Sequence, residues 1–170
     1  MNKQGNTYTF LYSVILVVVV AALLSIVSLS LQPRQDENRQ NEKRQNILSA
    51  IHISSTADNS AELFNKYIKE QFIVNAKGEK IEGKAFNIDI AKEYKKAAGE
   101  RELPVFVAEV DGATKYILPI YGAGLWGPIW GYISLDENKA TIYGTFFDHS
   151  GETPGLGAEI TTPKFNEQFK

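Results

Sequence analysis

The stretch that decides the fold is Pro104–Tyr121, PVFVAEVDGATKYILPIY. Two runs rich in β-branched and aromatic residues, Pro104–Val110 and Thr114–Ile120, flank Asp111-Gly112. Asp-Gly is the pair that a two-residue hairpin turn selects, because both positions need positive φ. A second pair, Pro128–Leu135 and Ala140–Phe147, flanks Asp136-Glu137-Asn138-Lys139 and reads as another hairpin. This half of the chain is therefore an antiparallel sheet.

Upstream the period changes. Leu63, Phe64, Tyr67 and Ile68 recur at helical spacing after the cap candidates Asp58, Asn59 and Ser60. Phe72-Ile73-Val74 and Asn75–Gly78 read as strand and turn, with Lys80–Phe86 returning. Asp89–Ala98 reads as a short helix ended by Gly99. At the other end, Thr162–Phe169 reads as a helix with Pro163 at its first position. The domain is α+β with an antiparallel sheet.

Ahead of it lies Phe10–Leu31, FLYSVILVVVVAALLSIVSLSL, twenty-two residues without a charge. At about 1.5 Å per residue such a helix spans roughly 33 Å, enough for a hydrocarbon core of about 30 Å. A cleaved signal has a shorter apolar core and a small-residue cleavage site, which Leu29-Ser30-Leu31-Gln32 lacks. The segment reads as a retained transmembrane helix. The expected organisation is an N-terminal tail over residues 1–9, the membrane helix over 10–31, a polar stalk over 32–45 and the domain over 46–170. Arg34, Arg39, Lys43 and Arg44 follow the span and only Lys3 precedes it, so the positive-inside count places the domain in the cytoplasm.

Composition narrows the function. With 18 Lys+Arg against 20 Asp+Glu, the chain is not a basic nucleic-acid binder. It has no cysteine, hence no disulfide, iron–sulfur cluster or thiolate zinc site. His52 and His149 are far apart in sequence, and no metal site is expected.

Two segments stand out, Tyr121–Gly131 (YGAGLWGPIWG) and His149–Glu159 (HSGETPGLGAE). Dense glycine lets backbone amides approach a ligand and can build an anion-binding nest, and tryptophan offers a flat apolar face. Ordinary turn chemistry between strands accounts for the same residues. Gly122–Gly127 matches G-x-G-x-x-G, with Asp148 downstream, but a strand follows it where a dinucleotide site needs a helix. Thr114 after Asp111-Gly112-Ala113 begins a returning strand and is no reactive threonine. His149 with Glu152 or Asp148 lacks a nucleophile at suggestive spacing, so no catalytic residue is expected.

Read together, Leu118-Pro119-Ile120-Tyr121-Gly122-Ala123-Gly124-Leu125-Trp126-Gly127, a strand hairpin, and then Gly151-Glu152-Thr153-Pro154-Gly155-Leu156-Gly157-Ala158-Glu159 resemble the NqrC family, the flavin-bearing subunits of the Na+-translocating NADH:quinone reductase. A related subunit of the Rnf electron-transport complex shares the domain. The resemblance implies an FMN-binding domain behind one membrane helix, with Leu125, Trp126, Gly127, Glu152, Thr153, Gly155, Leu156 and Gly157 lining the flavin pocket. It implies a subunit of a membrane oxidoreductase that relays electrons through FMN and is not active alone. Its partners would be the other subunits and the lipid bilayer, with no nucleic acid. It places the domain on the periplasmic side of a bacterial inner membrane, against the charge count, and the family expectation is followed. In the family FMN is covalent, joined to a threonine of an S-G-A-T-x-T segment that lies beyond the E-T-P-G-L-G block. That segment is absent from this chain, so the chain is expected to be a shortened form of a longer protein. A Rnf-type subunit, or a flavin-free assembly module tethered to the membrane, are the alternatives.

Overall fold

The computed structural model describes residues 5–169; the first four residues of the expected tail, Lys3 among them, and Lys170 lie outside the described residues. The chain falls into two units, Met1–Gln40 and Asn41–Lys170.

Helix α1 runs over Asn6–Ser49 and takes in residues 6–9, read as tail, and 32–45, read as stalk. Pro33 lies inside it. Within the first unit the apolar stretch is long enough to cross a membrane and none of it is buried in the protein. A helix apolar on all sides has no solvated face to offer water. Tyr8 and Tyr12 stack with centroids 6.4 Å apart at its N-terminal end, and Arg39 pairs with Asp36 at 3.6 Å beyond its apolar stretch.

The second unit is built on six antiparallel strands, β1 (Ile68–Val74), β2 (Lys80–Ile81), β3 (Leu103–Val110), β4 (Ala113–Ala123), β5 (Pro128–Leu135) and β6 (Ile142–His149), in the order β2-β1-β3-β4-β5-β6. Asp111 and Gly112 take φ of 52° and 77°, the left-handed pair of a tight hairpin turn, and Val110 lies opposite Ala113. In the second hairpin Asn138 Oδ1 accepts the amides of Ala140 and Thr141, which holds those residues in the turn and starts β6 at Ile142 and not at Ala140.

One row crosses the sheet: Phe106 opposite Ile117, Ile117 opposite Ser134, Ser134 opposite Gly144. Phe106, Ile117 and Ser134 are fully buried. The end of α1 covers this face with Ile47, Leu48 and Ile51, and Phe64 of α2 (Ser60–Tyr67) meets Phe106 and Phe86 edge-on. Each such large side chain contributes roughly 1.5–3 kcal/mol when fully buried. The helix closes with a Schellman pair, Ile53 N–H to Leu48 O and His52 N–H to Ser49 O, both 3.0 Å, with His52 at φ 61° where glycine is usual. Ser134 Oγ lies 2.5 Å from Ala50 O and 3.0 Å from Gly144 O. A Cβ at Gly144 would stand 2.6 Å from Ala50 O and 2.7 Å from His52 Nε2, so only glycine lets the helix end come this close.

Four further expectations change. Ile68 opens β1 instead of ending α2, because it pairs with Ala108 on β3. Only Lys80–Ile81 of the returning run is strand; Gly83 at φ 151° turns the chain, and a 3-10 turn over Ala85–Asn87 buries Ala85. Helix α3 spans Ile90–Lys95, capped by Asp89 on the Ala91 amide, and ends before Lys96. There the buried Glu93 carboxylate accepts the Glu102 amide and the Lys96 ammonium, both 2.9 Å, which folds the following loop back onto the helix. The last helix, α4, is Pro163–Asn166, with Thr162 accepting from Phe165 N, and continues as a 3-10 turn over Glu167–Phe169. Phe165 and Phe169 pack on Phe147 of β6 at 5.7 and 5.4 Å.

Candidate functional site

Tyr121–Gly131, read as a loop leading into a strand, is the β4–β5 hairpin. Tyr121–Ala123 continue β4, and the turn is Gly124–Gly127, closed by Gly124 N–H to Gly127 O at 2.7 Å. Tyr121 rests against Tyr94 with ring centroids 5.3 Å apart, and Trp130 stands on β5 opposite Tyr121. Of the two tryptophans only Trp126 is at the tip. Leu125 and Trp126 are 83% and 70% exposed there.

The second glycine-rich segment meets this tip. His149 ends β6 opposite Ile129, and Ser150 N–H donates to Pro128 O at 3.1 Å. Gly127 sits directly against Ser150, where a Cβ would strike its Oγ. Gly155 turns the loop at φ 75°, and the Leu156 and Ala158 amides both donate to Thr153 O at 3.1 Å. Leu156 is 73% exposed. The two loops thus present three large apolar side chains to solvent. Single exposed leucines are ordinary in a folded protein, whereas three large apolar side chains on two joined loops suit a binding surface.

Glu152 joins the loops. Its Oε1 accepts the Trp126 amide at 3.0 Å, and its own amide donates to His149 Nδ1 at 3.2 Å. The carboxylate lies between two glycines: a Cβ at Gly124 would strike Oε1, and one at Gly157 would lie 2.5 Å from Oε2. The Gly124 and Trp126 amides are therefore spent inside the protein, and the tip is no anion-binding nest. Among the described residues the amides of Leu125, Gly151, Thr153 and Gly155 have no protein acceptor, and the Thr153 hydroxyl makes no hydrogen bond. Sequence reasoning placed Glu152 on the ligand and missed its role as a bridge. The signal was a glutamate set between Gly124 and Gly157, 26 residues from the tryptophan whose amide it holds.

The neighbouring polar groups bond to the backbone of these same segments. His149 Nδ1 accepts a backbone N–H, and Asp148 Oδ1 accepts the His149 amide at 2.7 Å. Thr114 pairs with Glu109 in the β3–β4 ladder.

Of the eight residues, Leu125, Trp126, Gly127, Glu152, Thr153, Gly155 and Leu156 fall on these two loops, and Gly157 opens the 3-10 turn Gly157–Thr161 that follows the second. Open amides and a threonine hydroxyl beside exposed apolar faces suit a flat aromatic ligand with a polar edge. Residues 124–170 match the model of the FMN-binding domain family. Over 99% of its length the chain is 29% identical to the NqrC protein of the Na(+)-translocating NADH-quinone reductase of Haemophilus ducreyi, covering 72% of that protein. The crystal structure of the corresponding protein from Parabacteroides distasonis superposes with a TM-score of 0.77 at 53% identity, over 82% of this chain and 68% of that one. Shewanella oneidensis NqrC, 24% identical, shares the fold at a TM-score of 0.66 over 78% of this chain and 70% of its own. With the sequence resemblance, the sheet topology and the identity to a solved member in agreement, the chain belongs to the NqrC family of the Na(+)-translocating NADH-quinone reductases.

Proposed function

We propose that Leu125, Trp126 and Leu156 cover the apolar rings of FMN, and that Thr153 and the open amides of Leu125, Gly151 and Gly155 serve its polar edge. The chain is a flavoprotein subunit of a membrane oxidoreductase complex, a member of the Na+-translocating NADH-quinone reductases, and its partners are the other subunits of that complex. FMN, when bound, supplies one- and two-electron transfer; the protein supplies position and surroundings. Leu125, Trp126 and Leu156 would exclude water from the ring, and Gly127, Gly155 and Gly157 would keep the backbone close to it. These contacts are noncovalent. The family's phosphoester link needs an S-G-A-T-x-T threonine, and none occurs among these 170 residues.

The observation that carries the reading is the set of three exposed large apolar side chains on two loops that Glu152 ties together. The test is titration of the purified chain with FMN, followed by flavin absorbance and tryptophan fluorescence. Saturable binding supports the site; no saturation, and no flavin retained from the host membrane, refutes it.

The uncharged stretch of α1 anchors the chain in the lipid bilayer, and we place the domain on the periplasmic side of a bacterial inner membrane. The Lys and Arg residues after the span argue for the opposite side, while the resemblance favours the periplasm. Protease added to intact spheroplasts decides between them: cleavage around Arg39–Arg44 supports the periplasmic placement, and protection there overturns it.

A further inference from the structure

Glu152 has the chemistry of a ligand-binding carboxylate and the surroundings of a structural one. Oε1 takes the amide of Trp126. Oε2 lies against Gly157, its backbone amide is anchored on His149 Nδ1, and neither Gly124 nor Gly157 has room for a methyl group beside the carboxylate. Two segments 26 residues apart are thereby tied at the point where Leu125, Trp126 and Leu156 emerge. A four-residue turn containing two glycines has little stiffness of its own, so an outside contact is needed to hold its side chains in one place.

We infer that Glu152 is a positioning residue, an internal anion that holds the Trp126 amide of the β4–β5 tip and fixes the apolar side chains of Leu125 and Trp126 relative to the loop that carries Leu156. This rests on the flavin-site reading only for what the faces receive; the clamp itself is a property of the protein alone. It also directs the tip's recognition to the ring of the ligand and not to a phosphate, because a carboxylate already holds the Trp126 amide and its charge repels a second anion beside it. Gln at 152 retains the oxygen that accepts the Trp126 amide, whereas Ala removes it.

The test is deuterium exchange at the Trp126 amide in the full chain, with FMN quenching of tryptophan fluorescence measured on the same samples. In Glu152→Ala the Trp126 amide is expected to exchange about tenfold to a hundredfold faster, the loss of one hydrogen bond to a charged acceptor. The ladder amides of β4 and β5 stay protected, which shows that the sheet is intact. Glu152→Gln restores slow exchange, and Gly157→Ala, whose methyl displaces the carboxylate, reproduces Glu152→Ala. FMN affinity follows the same order. Unchanged exchange at Trp126 in Glu152→Ala overturns the clamp, even where Leu156→Asp abolishes FMN binding and so upholds the site. Faster exchange with FMN affinity untouched in Glu152→Ala but lost in Leu156→Asp overturns the positioning role. Faster exchange with FMN affinity untouched in both variants upholds the clamp and refutes the flavin site.

Discussion

Leu125 and Leu156 separate a binding surface from a packing surface. They are 83% and 73% exposed, so truncating either to alanine removes almost nothing from the core, and unfolding free energy is expected to stay within about 0.5 kcal/mol. A ligand ring seated on them changes the account. Leu→Ala deletes three carbons, worth about 0.8 kcal/mol each when buried. Scaled by the exposed fraction, this comes to about 2 kcal/mol per leucine, or about thirtyfold in Kd. The two leucines would touch one ring, so the double variant should lose less than the sum. The assay is FMN quenching of tryptophan fluorescence, paired with thermal unfolding of the flavin-free protein. Two results would refute the reasoning. Kd values within about threefold of wild type in both single variants, well under 1.4 kcal/mol, would mean that no ring covers these side chains. A clear fall in Tm without flavin would mean that they are core residues.

Other expectations concern the scaffold. Gly144→Ala must push its methyl into Ala50 O and the His52 ring, and should destabilise the domain by about 1–3 kcal/mol; a urea midpoint equal to wild type would contradict the close packing of α1 on β6. Burial alone would push the Glu93 carboxyl up, but the Glu102 amide, the Lys96 hydrogen bond and the Lys96 charge outweigh it and hold the group below the ordinary carboxylate range. Its stabilisation is therefore complete above the unfolded value of 4.5 and is lost as pH falls through the lower folded value. Stability measured by denaturant between neutral pH and pH 3 should fall less steeply in Glu93→Gln, and identical slopes would remove Glu93 from the account. Because Glu152 holds the tip amide, riboflavin and FMN should bind this chain with similar affinity; a preference for FMN of more than about tenfold in competition would show a phosphate contact on these loops.

What can be read from the sequence is local. Asp111-Gly112 specifies its own turn, and the alternating runs on either side need only that turn to pair. Ile68 and Lys80–Phe86 escape such a reading because distant partners decide them: Ile68 follows Ala108 of β3, and Gly83 turns where a Cβ would meet Ile73 Cδ1. Lys96–Ala98 carry a helical pattern, yet Glu93 draws the Glu102 amide onto the helix end and stops it early. At the site, the residue types point to a flat ligand, but the amide accounting is hidden. Which N–H groups remain open depends on where the Glu152 carboxylate lands, and that is fixed by a contact between two loops.

The fastening of α1 to the sheet also sets an order of events during synthesis. Ala50 is held by Ser134, 84 residues later, and His52 by Tyr143, 91 residues later. The four strands β3 to β6 follow one another as hairpins and can zip up from short loops, whereas closing the long loop back to α1 carries the larger entropy cost. The N-terminal helix is made first and acquires its seat last. Until β5 and β6 have left the ribosome, Ile47, Leu48 and Ile51, fully buried in the finished protein, have only part of their sheet to cover. During that interval they are open to a chaperone or to the bilayer surface.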